Sequence, residues 1–575
     1  MRTAYIGFVV LGCALSVGCG RTSPSAQPPA TQASPEAAAD SGPMPSGPAS
    51  LADWAKGAQL FEGLGDFHRP IATTLPEAQR YFDQGMRFLW AFNHDESTRS
   101  FARAAELDPA CAMCFWGVAL TVGPNYNVPV MAETRARVAW DALTKAQHLA
   151  TNAQPVEKAL IDALGMRYRG PTALDPSNEG PVLAGYANAM RAVAHQYPQD
   201  LDVQALFAES AMNVNAWKLW DSSGKPAAGT EEIVATLESV MKRDPHHPGA
   251  NHYYIHAVES SPHPERGLEA ATRLGPMMPA AGHLVHMPAH ILQRVGRYED
   301  AAQANRAASA ADAAYLAKTQ PLDYYPMYVA HNYSFLAYAT AMEGRKAETL
   351  AATQKLWEAF PASTMLMMPG TDWYGAERYL AYVRFGLWDQ MLAEPAPNEK
   401  LQALTGGYLF GRTLALAAKG QVTQAKESLA ALERLASTVA PDAGAGLNLT
   451  KDVLSVAVTI GQARIASSEK RSDDAARLLE EAVAKEDALS YDEPADWFFP
   501  VRHLLGAELL TSHQPAQAER VFREDLTRNP ENGWALKGLS QALRAQGKTA
   551  EAKALDDRFA RAWHEADITV ESSAL

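Results

Sequence analysis

Two segments near opposite ends of the chain repeat the same residue types at the same spacing, and this repetition constrains the fold most strongly. In each segment a glycine is followed by a phenylalanine after 16 residues and by a proline after 24. A glycine lets a second helix approach closely, the aromatic ring fills the joint, and the proline ends that helix. The pattern therefore predicts pairs of antiparallel helices. The two sets are Gly85, Phe101 and Pro109, and Gly506, Phe522 and Pro530.

Three more segments carry the turn expected between paired helices. These turns lie at Gly296, Gly344 and Gly547, each followed by a basic residue. Apolar residues recur at intervals of three and four between them, which is typical of amphipathic helices. Five dispersed units in 575 residues indicate that most of the chain is a repeat array.

These units resemble the tetratricopeptide repeat, a helix pair of about 34 residues, over residues 76–565. The resemblance implies an all-α fold, a right-handed α-solenoid of about a dozen helix pairs spanning residues 56–575. We expect one long core built from contacts between neighbouring repeats. Residues 217–230 are predicted to be an insertion, and residues 121–130 and 360–372 irregular connections.

Histidines are concentrated in one part of the array. Eight of the 16 histidines lie between residues 246 and 290. In the unit that turns at Gly296, three histidines stand 13, 10 and 6 residues before the turn, and the adjoining units place histidines at the same offsets. The matched set is His283, His286 and His290, with His252 and His256 in the preceding unit and His331 in the following one.

Residues three or four positions apart share one face of a helix, so the matched histidines should form neighbouring stripes. Imidazole and carboxylate groups converging from stacked helices suit a transition metal. We therefore predict a metal or small-ligand site at about residues 205–335, in the concave groove that the tetratricopeptide resemblance assigns to first helices. The predicted ligands are His252, His256, His283, His286, His290, His331, Glu209 and Glu259.

Copper, zinc and iron are the metals that this donor set favours. Met277, Met278 and Met287 would suit copper(I), although methionines more often fill gaps in cores. His246, His247 and His263 fall in predicted loops and are expected to face solvent.

Three functions follow from a site of this kind. The favoured one is a binding protein whose groove holds a metal, or otherwise a protein, peptide or small ligand. A second is a hydrolytic or oxidative metalloenzyme in which Glu209 or Glu259 acts as acid or base. A third is a metal-free scaffold, whose histidines bond to a peptide or to buried tyrosines such as Tyr253 and Tyr254. The formal charge of -14 argues against nucleic acid as a partner.

The N-terminus is typical of an export signal. Residues 1–18 begin with one arginine and continue with apolar or small side chains, and residues 15–19 resemble a bacterial lipoprotein cleavage box. The resemblance implies lipidation at Cys19 and a periplasm-facing protein in the bacterial cell envelope, with the outer membrane as one of its candidate locations. Residues 10–13 are a weaker candidate box, and ordinary secretion with cleavage near Gly20 is the alternative. Residues 20–50 contain seven prolines and no Val, Leu, Ile or aromatic residue, so residues 19–55 are predicted to be a disordered tether.

Two further features bear on function. Residues 251–259 (NHYYIHAVE) and 491–494 (YDEP) resemble recurring stretches of bacterial exported tetratricopeptide proteins, a set that implies no particular activity. Cys111 and Cys114 open a predicted helix and form a possible thiol pair, for which a local disulfide or two packed thiols is favoured over redox catalysis.

Overall fold

The computed structural model describes residues 47–128, 131–174, 178–319 and 325–574, and its regular structure is almost entirely helical. Within these ranges there are 27 α-helices, a two-stranded antiparallel hairpin and four short 3-10 helices. The predicted all-α array of helix pairs is confirmed. Residues 1–46, which contain the predicted signal, Cys19 and most of the tether, lie outside the described residues.

Helices of the first third lead up to the histidine-rich region. Consecutive helices such as the second and third pack side by side as antiparallel pairs. These helices are α1 (Leu51–Ala55), α2 (Pro76–Trp90), α3 (His94–Leu107), α4 (Ala112–Thr121), α5 (Glu133–Leu149), α6 (Pro155–Leu164), α7 (Gly180–Gln196), α8 (Leu201–Met212) and α9 (Thr230–Arg243).

The middle third carries the predicted site. Here the helices are interrupted more often, and one predicted helix is divided in two at Met287. These helices are α10 (Pro248–Val258), α11 (Leu268–Met277), α12 (Gly282–His286), α13 (Pro288–Arg294), α14 (Tyr298–Leu316), α15 (Tyr325–Met342), α16 (Lys346–Ala359), α17 (Ala362–Met367) and α18 (Trp373–Arg384).

The last third consists mainly of long helix pairs, with the hairpin β1 (Gly444–Ala445) and β2 (Asn448–Leu449) between two of them. These helices are α19 (Trp388–Ala393), α20 (Gln402–Ala418), α21 (Val422–Thr438), α22 (Thr450–Ser468), α23 (Ser472–Asp487), α24 (Val501–Thr511), α25 (Pro515–Arg528), α26 (Gly533–Ala545) and α27 (Thr549–Ala562).

Phe101 fills the joint between helices α2, α3 and α4. A Cβ atom added to Gly85 would lie 2.5 Å from the ring of Phe101, and one added to Gly117 on α4 would also collide with it. Phe522 is held in the same way between Gly506 and Gly538. Both predicted joints are therefore present. Each ring also contacts the helix that follows its own, a contact that the repeat offsets did not predict.

The three predicted turn glycines adopt the left-handed conformation that glycine tolerates best. Their φ angles are +77° at Gly296, +72° at Gly344 and +75° at Gly547. Each separates two helices of a pair, so the predicted turns are confirmed.

The buried apolar residues form two clusters, so the prediction of one long core is wrong. One cluster runs from Trp54 to Tyr328 and the other from Ala289 to Val570. Repeats far apart in sequence also contact each other. The indole of Trp534, for example, donates a hydrogen bond to the carbonyl of Ala341 at 2.8 Å. Contacts between distant repeats therefore add to the contacts between neighbouring repeats.

Two predicted boundaries need correction. Residues 51–55, assigned to the tether, form α1, capped by the Ser50 hydroxyl and anchored by the fully buried Trp54. Residues 360–372 include the helix α17 and are not irregular throughout. Among the described residues, none of the helices combines the length and apolar character needed to cross a bilayer.

Candidate metal centre

Six matched histidines converge at the place where the two apolar clusters meet. His252 and His256 lie on α10, His283 and His286 on α12, His290 on α13 and His331 on α15. Five of these side chains are buried, and His331 is half-buried. The convergence predicted from the repeat offsets is therefore present.

Local helix geometry aligns the rings. Met287 ends α12 and begins α13 with the same right-handed helical angles, so the chain continues along nearly one axis. His286 and His290 consequently stand one turn apart on one face, with ring centroids 4.6 Å apart. His252 and His256 are related in the same way on α10, at 5.0 Å.

Four of the imidazoles have their Nδ1 atoms fixed by acceptors other than the histidines themselves. His252 Nδ1 lies 2.6 Å from the carbonyl of Trp90, and His286 Nδ1 lies 2.6 Å from Asn305 Oδ1. Asn305 donates its own amide to the carbonyl of Ala301 at 2.8 Å, which leaves Oδ1 as the acceptor for His286. Each of these rings therefore donates from Nδ1 and keeps a lone pair on Nε2.

Glu259 fixes the other two rings. Its Oε1 lies 2.9 Å from His256 Nδ1, and its Oε2 lies 2.6 Å from His290 Nδ1. A carboxylate that accepts from the far nitrogen of an imidazole is the usual partner behind a metal-binding histidine. The predicted carboxylate is thus in the cluster, and these contacts place it behind the rings.

The Nε2 atoms point at one another inside the cluster. His286 Nε2 lies 2.6 Å from His290 Nε2, and His252 Nε2 lies 3.2 Å from His283 Nε2. His256 Nε2 is buried without a hydrogen-bond partner among the described residues. Buried polar atoms normally have partners, and an added proton or cation could satisfy nitrogens arranged in this way.

Three sets of side chains can hold a metal ion, each with its ligand atoms within 4.8 Å of one another. Two sets consist of histidine alone. The third combines Glu259 with one histidine from each of the others. These sets are His252, His256 and His283; His286, His290 and His331; and His256, Glu259 and His290.

Burial and neighbouring charges move the pKa values of His256 and His290 in opposite directions. Burial lowers the pKa of His256 to about 3, with the positive charge of His290 adding to the effect. Burial would also lower the pKa of His290, but Glu493 and Glu259 outweigh it and raise that pKa to about 10. Most of the cluster is therefore neutral imidazole, the form that binds metals.

Glu493 belongs to the site but was absent from the predicted ligands. It lies in the connection before α24, is buried, and pairs with His290 Nδ1. Burial raises its pKa to about 7, and the charge of Glu259 adds to that rise. The YDEP stretch marked this segment in the sequence, but no helical offset related it to the histidines.

Aromatic side chains close the cluster on several sides. Phe92 lies 4.6 Å from the ring of His252, and Phe335 lies 4.7 Å from that of His286. Tyr126 and Trp217 stack on each other and flank His256 at 5.3 and 5.6 Å. The prediction that these histidines line an open groove is therefore wrong, because aromatic residues from distant helices and loops cover them.

A small cavity lies beside the site. A cavity of about 10 Å³ touches His283 and is bounded by Asn93, Tyr325 and Tyr328. This volume accommodates about one water molecule. A much larger cavity of about 620 Å³ lies elsewhere, between Asp66 and His247, and does not include the six histidines.

Glu209 is not part of any of the three sets, among the residues that the structure describes. It is buried on α8 and accepts a hydrogen bond from Asn213 at 2.8 Å. Burial raises its pKa, and Arg167 opposes that rise. The structure thus places Glu209 beside Tyr126, whose backbone hydrogen-bonds to it.

His247 is buried, so the prediction that it faces solvent is wrong. Its Nδ1 caps α10 by accepting from the amide of Ala250 at 3.0 Å, and its Nε2 lies 3.1 Å from Asp202. His246 and His263 are exposed, as predicted.

The three methionines considered as copper(I) ligands belong to, or pack against, the first apolar cluster. Met278 and Met287 are buried within the first apolar cluster, and Met277 packs against it, which agrees with gap-filling side chains. Cys111 and Cys114 form a disulfide, the local pairing that the sequence favoured.

No protein-family model matches the chain, and no curated protein sequence matches it. Among solved structures, the human IFIT1 dimer with m7Gppp-AAAA shares 12% identity and a TM-score of 0.33, covering 78% of this chain and 90% of that one. Yeast Tom70 shares 11% identity and a TM-score of 0.31, covering 84% of this chain and 96% of that one. At these values, the assignment of a helix-pair array rests on the helices of this chain itself.

Proposed function

We propose that the chain is a transition-metal-binding protein whose centre is enclosed by tetratricopeptide-like helix pairs. One observation carries this proposal: four buried imidazoles donate from Nδ1 to fixed acceptors while their Nε2 atoms face the same interior. Copper, zinc and iron are the ions that such nitrogen-rich sets favour.

A metal-free cluster satisfies this geometry less well. A proton shared between His286 and His290 would account for their contact, and His283 could donate to His252. Neither arrangement supplies a partner for His256 Nε2, which is buried. An ion that accepts several lone pairs at once accounts for all of these atoms.

Elemental analysis tests the proposal. The full-length chain, refolded with Cu²⁺ or Zn²⁺ and freed of unbound ions, should retain metal, and replacing His256 and His290 by Ala should abolish retention. His263→Ala changes an exposed histidine of the same region and should retain the wild-type amount. Metal below about a tenth of an equivalent in the wild type would refute metal binding and favour a scaffold.

For the location, we propose a lipid anchor at Cys19 that holds the body on the periplasmic side of a bacterial membrane. The support is the sequence of residues 1–50 alone. In fractionated cells Cys19→Ala should move the protein from membrane to soluble fractions. Unchanged membrane association would refute lipidation at this residue.

A metalloenzyme is the second candidate, favoured by the three-histidine sets. Catalytic metal sites usually have three protein ligands and an open position, whereas structural sites are closed. The cavity beside His283 restricts a reactant there to about the size of water. Raising the pH of the Co²⁺-loaded chain should shift the visible absorption if an open position holds water, because metal-bound water then loses a proton, and an unchanged spectrum would indicate a closed site.

A further inference from the structure

We infer that the six histidines hold two metal ions side by side, each bound by three imidazoles. This inference rests on the proposed metal-binding function and extends it to a dinuclear centre. It concerns the two sets made only of histidine, which we call the first triad (His252, His256 and His283) and the second triad (His286, His290 and His331).

The two triads share no residue. The first joins α10 to α12, and the second joins α12 and α13 to α15. Within each triad, one nitrogen of every ring lies within 4.8 Å of one nitrogen of each of the other two rings. No group formed with this distance limit contains all six of the described rings. Since one zinc ion usually takes about four ligands, six imidazoles in two groups suit two ions better than one.

The triads are in direct contact. The rings of His256 and His290, one from each triad, have centroids 5.5 Å apart, and those of His283 and His286 are 5.9 Å apart. Spacings within the first triad run from 5.0 to 6.0 Å, so both cross-triad spacings fall inside the same range. Ions held in both triads would therefore be neighbours, as in two-metal sites, where the ions lie about 3.5–4 Å apart.

Glu259 links the two triads. Its oxygens accept from His256 of the first triad and from His290 of the second, so one carboxylate orients a ring on each side. Fixing the far nitrogen in this way sets the direction of Nε2 and increases its basicity.

Acidic side chains behind the rings would offset part of the charge of two ions. Buried ions need compensating charge, and Glu259 and Glu493 provide two negative charges behind the rings. Two divalent ions carry four positive charges, so one bound hydroxide would reduce the remaining positive charge from two to one. The cavity beside His283 has room for one ligand of that size.

Metal stoichiometry in matched variants tests the inference. The full-length chain is refolded with Cu²⁺ and analysed for bound metal, alongside His252→Ala, His331→Ala and the exposed control His263→Ala. We expect two ions per chain in the wild type and control, and one in each triad variant. His331 is half-buried, so its variant remains informative if His252→Ala fails to fold.

A single ion in the wild type, lost in both triad variants, would overturn the dinuclear centre and leave the proposed metal binding intact. Metal below a tenth of an equivalent would overturn both. Electron paramagnetic resonance gives an independent readout, because adjacent Cu²⁺ ions couple and their integrated signal falls below the copper content. A signal equal to the content of two ions would show that they are not neighbours.

Discussion

The Nε2 atoms of His286 and His290 face each other across 2.6 Å, while Asn305 holds the opposite nitrogen of the first ring. Two lone pairs at this distance repel unless a proton or cation lies near them. The proposed metal binding therefore depends on the orientation of the rings as well as on their number.

Glu259→Gln should weaken metal binding without abolishing it. The amide keeps the size of the side chain but removes the charge and one acceptor oxygen facing His256 and His290. Changes behind metal-binding histidines typically lower affinity by about 10–100-fold. Competition with a chromophoric chelator measures the change, and Glu265→Gln, on an exposed carboxylate paired with His263, is the control. Equal affinity in both variants would contradict the positioning role of Glu259.

Removing the metal should destabilise the whole chain, because the centre lies where the two apolar clusters meet. A ligand that binds only the folded state at about 1,000 times its Kd stabilises that state by about 4 kcal/mol. Thermal unfolding followed by circular dichroism should therefore show a lower midpoint for the metal-free chain. An unchanged midpoint, with metal loss verified by elemental analysis, would contradict this location of the site.

Phe101→Ala should destabilise the first helix pairs by about 3–5 kcal/mol, the usual cost of emptying a buried aromatic site. Gly85 and Gly117 contact the ring from two helices, so no neighbouring side chain can fill the space readily. Urea unfolding measures the loss, with Leu316→Ala at an exposed position as the control. Similar midpoints for the two variants would show that the joint tolerates a cavity.

Asp525→Asn should destabilise the C-terminal repeats at neutral pH. Burial acts to raise the pKa of Asp525, but His503 and the amides of Asn532 and Asn529 outweigh it and hold that pKa below its usual value of 3.8. The ionised carboxylate therefore stabilises the folded state above that value, and its contribution is lost as the pH falls through the lower folded pKa.

Burial lowers the pKa of His503, so its ring is neutral near pH 7 and Asn in place of Asp525 mainly disturbs buried hydrogen bonds, at an expected cost of about 1–3 kcal/mol. Thermal midpoints should differ from those of the wild type by a constant amount between pH 7 and about pH 4.5, and the difference should narrow below about pH 4. Asp389→Asn, at a largely exposed carboxylate, is the control. A difference that narrows already near neutral pH would contradict the depressed pKa.

Repeat periodicity predicted the parts of the structure that depend on local spacing. The joint around Phe101, the turn at Gly296 and the convergence of the histidines all follow from fixed offsets along helices. Glu493, Tyr126 and Trp217 could not be placed in this way, because they reach the site from connections whose path depends on long-range packing. His247 was misplaced because its position near a proline suggested a loop, whereas its ring caps a helix and contacts Asp202.

The pairing of Glu493 with His290 has a consequence for how the protein is made. The centre draws on side chains spread from residue 252 to residue 493, so a nascent chain can complete it only after most of its length has been synthesised and packed. The cavity beside His283 has room for about one water molecule, so it leaves little space for an ion to enter once the surrounding side chains have packed. Metal acquisition would then belong to maturation, and the metal supplied in the compartment where the chain folds would decide which ion it carries.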